Sequence, residues 1–154
     1  MRPIILVAII LTLIICLCIV GIVRGEETRE WTGIVIHHSA TEIGTVESIR
    51  KYHIEHNGWD DIGYHFLIQR DGHLSAGRSL SKVGAHAKGR NEDYIGICLV
   101  GRDEFTKNQY RCLIALIDKL GKQFRIKSIE PHHEECPGEG FDNKFFGKEG
   151  VWLE

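Results

Sequence analysis

Histidine is frequent and clustered in this chain of 154 residues, which contains nine histidines. One pair ends the apolar run IVIHHSAT, and a second pair opens HHEEC, where a cysteine follows. Imidazole and thiolate are preferred ligands of Zn²⁺, and a catalytic zinc site uses three protein ligands with one position open for water. The pattern therefore predicts a catalytic zinc site. The alternative is a set of surface imidazoles and an idle thiol, because HxxxC alone is a weak pattern.

The extended backbone around each histidine pair limits what that pair can contribute. Successive side chains of a strand point to opposite faces, so His37 and His38 cannot both reach one site from the same strand. The same reasoning applies to His132 and His133. The residue pattern predicts a ligand set of one histidine from each pair together with Cys136, and it leaves open which member of each pair is used.

The elements that position these residues are predicted to form a mixed β-sheet. Residues 31–38 and 94–100 are rich in β-branched and apolar side chains, which favours strands. Residues 64–77 form a predicted hairpin whose Asp71-Gly72 turn suits positive φ, and residues 126–131 add a short strand. Interleaved strands and helices indicate a single α/β domain with a central mixed sheet flanked by helices.

Two helices are predicted between these strands. The first runs from an N-cap at Thr45 to a stop at Gly58 and carries one stripe of side chains at helical spacing. The second covers residues 107–124 and begins with a capping box of Thr106 and Gln109, so it should pack across the sheet. A terminal helical turn is predicted over residues 141–147. The predicted stripes are Val46, Ile49, Tyr52 and His53 in the first helix, and Tyr110, Leu113, Ile114, Ile117, Leu120 and Phe124 in the second.

An uncharged apolar segment covers residues 4–23, and as a helix it would extend about 30 Å, the thickness of a bilayer core. We expect residues 1–25 to be a membrane-targeting segment and residues 26–154 to be the functional domain. The segment is either an uncleaved signal-anchor or a signal peptide cleaved near residues 23–25. Arg2 before it and acidic residues after it place the domain outside the cytoplasm. The protein would be anchored in the cytoplasmic membrane facing the periplasm or cell wall, or secreted after cleavage.

The charge of the predicted domain limits which macromolecules it could bind. Residues 26–154 hold 17 of the 19 basic residues and all 21 acidic ones, so the domain is acidic and gives no support for nucleic-acid binding. Cys98 and Cys112 are expected to be small buried residues, with a disulfide between them possible. We expect a monomer.

Four motifs between about residues 33 and 137 carry a resemblance to a known family. They are IVIHHSAT, GWDDIGYHFLIQRDGHLSAGR, VGAHAKGRNEDYIGICLVG and HHEECPG. The chain resembles the zinc-dependent N-acetylmuramoyl-L-alanine amidases, a family shared by amidase-type phage lysozymes and the peptidoglycan recognition proteins. The motifs occur in the order in which the family has them.

The resemblance implies roles for five residues. His37, His132 and Cys136 match the zinc ligands of the family, so His38 would turn to the other face. Tyr64 matches a tyrosine that contacts the oxyanion or the water at the metal. His86 matches a histidine that lines the substrate groove.

The loop between the second and third implied ligands departs from the family. Family members usually have a longer loop, often with a lysine or threonine two residues before the cysteine that stabilises the tetrahedral intermediate. Here Glu134 stands at that position. A carboxylate cannot stabilise an oxyanion, so Lys88 or backbone N–H groups would have to substitute. Glu134 or Glu135 would instead be a candidate general base.

The implied reaction is hydrolysis of the amide between the lactyl group of N-acetylmuramic acid and L-alanine in peptidoglycan. Bound Zn²⁺ would lower the pKa of water to about 7 and polarise the carbonyl. An alternative is a peptidoglycan-binding module that retains the groove without catalysis, which the short loop favours. A purely structural zinc site would require four protein ligands.

Overall fold

The computed structural model describes residues 29–142, 144, 147 and 148. The predicted targeting segment, residues 1–25, lies outside the described residues. Within the described part of the chain, none of the helices combines the length and hydropathy that a membrane span requires.

One mixed sheet of six strands forms the centre of the described chain, in the order β3-β2-β4-β1-β5-β6. The central strand β1 pairs in parallel with both β4 and β5, whereas the β2–β3 and β5–β6 pairs are antiparallel. The predicted mixed α/β sheet is confirmed. Parallel neighbours end at the same edge, so the carboxyl ends of β1 and β5 meet there. The strands are β1 (Gly33–His38), β2 (Phe66–Ile68), β3 (Leu74–Ala76), β4 (Tyr94–Leu99), β5 (Ser128–Pro131) and β6 (Gly147–Lys148).

Short strands form the two ends of the sheet. The hairpin of β2 and β3 turns at Gly72, whose φ of 89° is the positive value that the Asp71-Gly72 pair predicted. At the other end, Gly147 pairs with Ile129 as part of β6, so the predicted helical turn over residues 141–147 does not extend to Gly147. Residues 143, 145 and 146 of that prediction lie outside the described residues.

Helix α1 (Val46–Asn57) begins and ends where the sequence predicts. The Thr45 hydroxyl accepts a hydrogen bond from the Ser48 backbone N–H, and the Ser48 hydroxyl accepts one from the Thr45 N–H. Gly58 follows in the left-handed conformation with φ of 68°. Tyr52, a member of the predicted stripe, is 57% exposed. Only Val46 and His53 of this helix are buried, so the buried stripe is narrower than the apolar one.

Helix α2 (Lys107–Gln123) packs across the opposite face of the sheet, as predicted. Its capping box of Thr106 and Gln109 is present. The placement of Ile114 on the buried stripe is wrong, because its side chain is 45% exposed. The helix buries its stripe in the main apolar cluster with Ile34, Ile36, Ile97 and Leu99 of the sheet; its own members are Leu113, Leu116, Ile117 and Leu120.

A smaller apolar cluster lies on the α1 face of the sheet and contains Val46, Ile62, Leu67, Cys98 and Val100. Cys98 is buried and Cys112 half-buried, and both are free, so the possible disulfide between them is absent. Because side chains alternate along β1, Ile34 and Ile36 face α2 and His37 faces the α1 side. The candidate ligand His37 therefore lies on the α1 face, near the carboxyl edge of the sheet.

Candidate metal centre and substrate groove

Three potential ligands meet at the carboxyl edge of the sheet. One ligand atom each of His37, His132 and Cys136 lies within 4.8 Å of the other two. We call this group the His-His-Cys cluster. His37 and Cys136 are 1% and 3% exposed, and His132 is half-buried. Two imidazoles and a thiol, drawn together in a mostly buried position, fit Zn²⁺ by ligand type and number.

Parallel pairing of β1 and β5 brings the two histidines together. His37 is the last residue but one of β1, and His132 directly follows β5. The His132 backbone N–H donates to the carbonyl of Ile36 at 3.1 Å, which continues the pairing beyond the end of β5. The two imidazole centroids are 4.5 Å apart.

A tight turn returns the thiol to these histidines. The His133 N–H donates to the Cys136 carbonyl at 3.3 Å, and the Cys136 N–H donates to the His133 carbonyl at 3.0 Å. Glu134 and Glu135, which lie between them, have exposed side chains. The short spacing is therefore sufficient to place Cys136 beside the histidines, and it leaves room for only these two residues.

His38 lies closer to the cluster than strand alternation predicts. Its backbone N–H donates to Sγ of Cys136 at 3.4 Å, and its Nδ1 lies 3.7 Å from the same sulfur. The turn that carries Cys136 passes the end of β1, so the sulfur can contact His38 while it lies near His37. His38 does not belong to the group of three mutually close ligand atoms.

His86 is packed behind His37. Its Nδ1 lies 3.0 Å from Nε2 of His37, and its Nε2 lies 3.1 Å from the carbonyl oxygen of Tyr94. The resemblance implied a histidine lining the groove, but the side chain here is only 8% exposed. A Cβ at Gly84 or Gly96 would lie 2.5 Å from the His86 ring, so these two glycines make the space that the ring occupies.

Burial keeps the inner imidazoles neutral. Burial lowers the pKa of His37 well below its usual value, and the neighbouring His86 and His132 lower it further. Burial also lowers the pKa of His86 to about 3. Neutral imidazole is the form that binds a metal, so His37 does not have to lose a proton to become a ligand at neutral pH.

Tyr64 lies beside the cluster, two residues before β2. Its ring centroid is 5.0 Å from that of His37. Burial raises the pKa of Tyr64 well above its usual value, and the nearby thiols of Cys98 and Cys136 add to the effect. The phenol therefore keeps its proton at neutral pH and can donate a hydrogen bond.

A groove of about 570 Å³ runs from Tyr64 along α1 to the loop after β1, and we call it the α1 groove. Its walls include the exposed Ile43 and Tyr52. His53 also lines it, although the sequence predicts His53 only as a member of the α1 stripe. Its Nδ1 accepts the Gly63 N–H at 3.0 Å. A histidine on an otherwise apolar helical stripe was the available signal for this role.

Arg90, rather than Lys88, contacts the backbone segment that carries His132. Lys88 has an exposed side chain in the loop between β3 and β4. Arg90 donates through Nη1 to Glu130 and to the Pro131 carbonyl, each at 3.0 Å, and through Nη2 to the His132 carbonyl. No motif in the sequence pointed to this role of Arg90.

The sequence matches a known protein family and is similar to a phage endolysin. Residues 27–139, which include the whole His-His-Cys cluster, match the model of a family described as N-acetylmuramoyl-L-alanine amidase. The chain is 39% identical over 127 residues to the endolysin of Escherichia phage T7, covering 75% of this chain and 83% of that protein.

Solved structures with the same fold include an amidase and a recognition protein. An N-acetylmuramoyl-L-alanine amidase, LysC from Clostridium intestinale URNW, matches with a TM-score of 0.70 and 35% identity, covering 74% of this chain and 80% of that one. The ectodomain complex of the peptidoglycan recognition proteins LCa and LCx, bound to tracheal cytotoxin, matches with a TM-score of 0.68 and 28% identity, covering 73% and 79%.

Proposed function

We propose, from the premise that this chain belongs to the N-acetylmuramoyl-L-alanine amidase family, that it is a zinc-dependent amidase of peptidoglycan. The bond cleaved would be the amide between the lactyl group of N-acetylmuramic acid and L-alanine. The observation that carries the proposal is the His-His-Cys cluster beside the α1 groove. Three protein ligands are the number that a catalytic zinc site uses, whereas a structural site uses four.

His37, His132 and Cys136 would hold the zinc, and bound zinc would supply an activated water and a Lewis acid for the scissile carbonyl. The chain's own groups complete the site. Tyr64 would donate its phenolic hydrogen to the oxygen on which negative charge develops, because its raised pKa keeps the proton in place. The α1 groove, which begins at Tyr64, would bind the muramyl peptide.

Glu134 and Glu135 are the proposed candidates for the general base. Both lie in the turn that ends at Cys136, and both are exposed to solvent. Lys88 is a further proposed substrate-binding residue, because its loop also carries His86. Backbone N–H groups are the alternative source of oxyanion stabilisation where the family has lysine or threonine.

The full chain incubated with purified peptidoglycan tests this function. An amidase releases stem peptides with a free L-alanine amino terminus and leaves the lactyl carboxylate on the glycan, which mass spectrometry identifies. We expect release by the zinc-loaded protein, loss of release with a chelator, and recovery when zinc is restored. A protein that sediments with peptidoglycan and binds zinc without releasing peptide would be the binding module that the short turn favours.

We also propose that residues 4–23 direct the protein to the cytoplasmic membrane, with the domain facing the cell wall where peptidoglycan lies. The support is the length of the uncharged segment and the charges on its two sides. Fractionation and protease treatment of spheroplasts test this. Recovery of the full chain in the soluble cytoplasm would contradict it.

A further inference from the structure

Three groups form a buried hydrogen-bonded series behind the His-His-Cys cluster. The Tyr94 carbonyl oxygen lies 3.1 Å from Nε2 of His86, and Nδ1 of His86 lies 3.0 Å from Nε2 of His37. Both imidazoles are nearly inaccessible to solvent. Neither ring can therefore exchange these partners for water without opening the structure.

The carbonyl at one end determines where each proton lies. A carbonyl oxygen can only accept a hydrogen bond, so Nε2 of His86 carries a hydrogen and donates it to Tyr94. In a neutral imidazole the other nitrogen is then an acceptor, so Nδ1 of His86 accepts from His37. Nε2 of His37 must carry that hydrogen. The lone pair of His37 is consequently on Nδ1.

We propose that His86 is a positioning residue that fixes the tautomer of His37, so that Nδ1 of His37 is the atom available to the metal. The effect on metal binding rests on the proposed zinc function. The positions of the hydrogens on the two imidazoles do not require a bound metal. Histidine ligands commonly donate their second N–H to a carbonyl or carboxylate, which sets the ring orientation and strengthens the ligand. Here a second histidine stands between the ligand and the carbonyl.

The surroundings of His86 hold its ring in this role. The Asn91 side-chain oxygen accepts the backbone N–H groups of His86 and Ala87, both at 2.8 Å, and so fixes the loop. Gly84 and Gly96 leave space for the ring, since a Cβ at either position would be 2.5 Å from it. The loop and the glycines thus place the ring against His37 rather than in the α1 groove.

The first test reads the tautomers directly in the full chain without metal. Long-range ¹H–¹⁵N correlation spectra, recorded after zinc is removed with a chelator, distinguish the protonated nitrogen of each neutral imidazole. We expect both His37 and His86 to be Nε2–H tautomers. A Nδ1–H tautomer at His37 would overturn the proposal, and no variant has to fold for this result.

The second test measures zinc affinity by competition with a chelating indicator. His86→Phe retains a ring of similar size but cannot accept from His37, so we expect zinc to bind about 10- to 100-fold more weakly. His56→Phe is the control for replacing a histidine by phenylalanine, because His56 is exposed on α1 and its ring stacks on Tyr52 rather than on a member of the cluster. Its zinc affinity should be unchanged.

The outcomes separate this inference from the proposed function. If His86→Phe is folded by circular dichroism and binds zinc as tightly as the wild type, the inference is wrong and the function stands. If the wild type itself fails to bind zinc, the proposed function fails, while the tautomer spectra still decide the role of His86.

Discussion

Arg90 donates hydrogen bonds to the backbone segment that carries His132. Its Nη1 lies 3.0 Å from the Pro131 carbonyl oxygen, and its Nη2 bonds to the carbonyl of His132 itself. The same guanidinium pairs with Glu130 at 3.0 Å. Because His132 follows the last residue of β5, these bonds restrain a potential ligand that lies beyond the end of its strand.

Arg90→Lys should weaken zinc binding while leaving the fold intact. An ammonium group cannot reproduce the planar fork that reaches two carbonyls and a carboxylate at once. Loss of such outer-shell contacts typically costs about 10- to 100-fold in metal affinity. Chelator competition measures the effect, with Arg102→Lys as control, because Arg102 is exposed and its guanidinium donates to the Ala40 carbonyl rather than to the segment that carries His132. Equal affinities for Arg90→Lys and the wild type would assign Arg90 a purely structural role.

The ligand set should be apparent from zinc stoichiometry. We expect His37→Ala, His132→Ala and Cys136→Ala each to lose zinc and activity, because their ligand atoms form the cluster. His38→Ala and His133→Ala should retain one zinc per chain, measured by elemental analysis after dialysis. Retention of zinc by Cys136→Ala together with loss in His133→Ala would instead favour a set containing His133 with Glu134 or Glu135.

Tyr64→Phe should retain zinc and lower turnover. The substitution removes one hydrogen bond to the transition state and leaves the ring beside His37 in place. Losses of this kind are about 10- to 1000-fold in kcat. Steady-state rates of stem-peptide release measure it, with Tyr110→Phe, on the helix at the opposite face of the sheet, as the control. Unchanged turnover would remove Tyr64 from the mechanism.

One of the two glutamates in the turn should be required for rapid hydrolysis. If Glu134 or Glu135 acts as general base, the corresponding glutamine variant should lose about 10²-fold or more of activity at neutral pH while keeping zinc. Glu139→Gln, at an exposed position beyond the turn, is the control. Full activity in both turn variants would exclude these carboxylates as the base.

The folded protein should lose stability as the pH falls from about 6.5 to 4. Burial lowers the pKa of His65 to about 4, so between these values the unfolded chain binds a proton that the folded chain excludes. This one group would contribute about 3 kcal/mol to the loss, which is complete below pH 4. Urea unfolding of the metal-free protein at several pH values measures it. His65→Gln, which can keep both backbone hydrogen bonds, should show a shallower pH dependence, and an equal slope would contradict this assignment.

Local sequence patterns were sufficient to predict most of the scaffold. The caps at Thr45 and Thr106 and the Asp71-Gly72 turn are determined by side chains within three residues, so they can be recognised without knowledge of the fold. Alternation along β1 similarly allows only one member of the first histidine pair to face the α1 side. The apolar stripes were less reliable, because the neighbouring surface decides how much of a stripe is buried, and Tyr52 and Ile114 are exposed.

The site itself depends on contacts between distant parts of the chain. His86 reaches His37 across 49 residues of sequence, and Arg90 reaches His132 across 42. His86 and Arg90 both lie in the loop between β3 and β4, and Gly96 of β4, which pairs with Val35 of β1, leaves space for the His86 ring. Pairing register is not encoded in the periodicity of any single strand. Residue types and spacing therefore determined which groups were available for metal chemistry. The sheet decided which atoms of those groups meet, because only tertiary pairing sets distances between residues far apart in the chain.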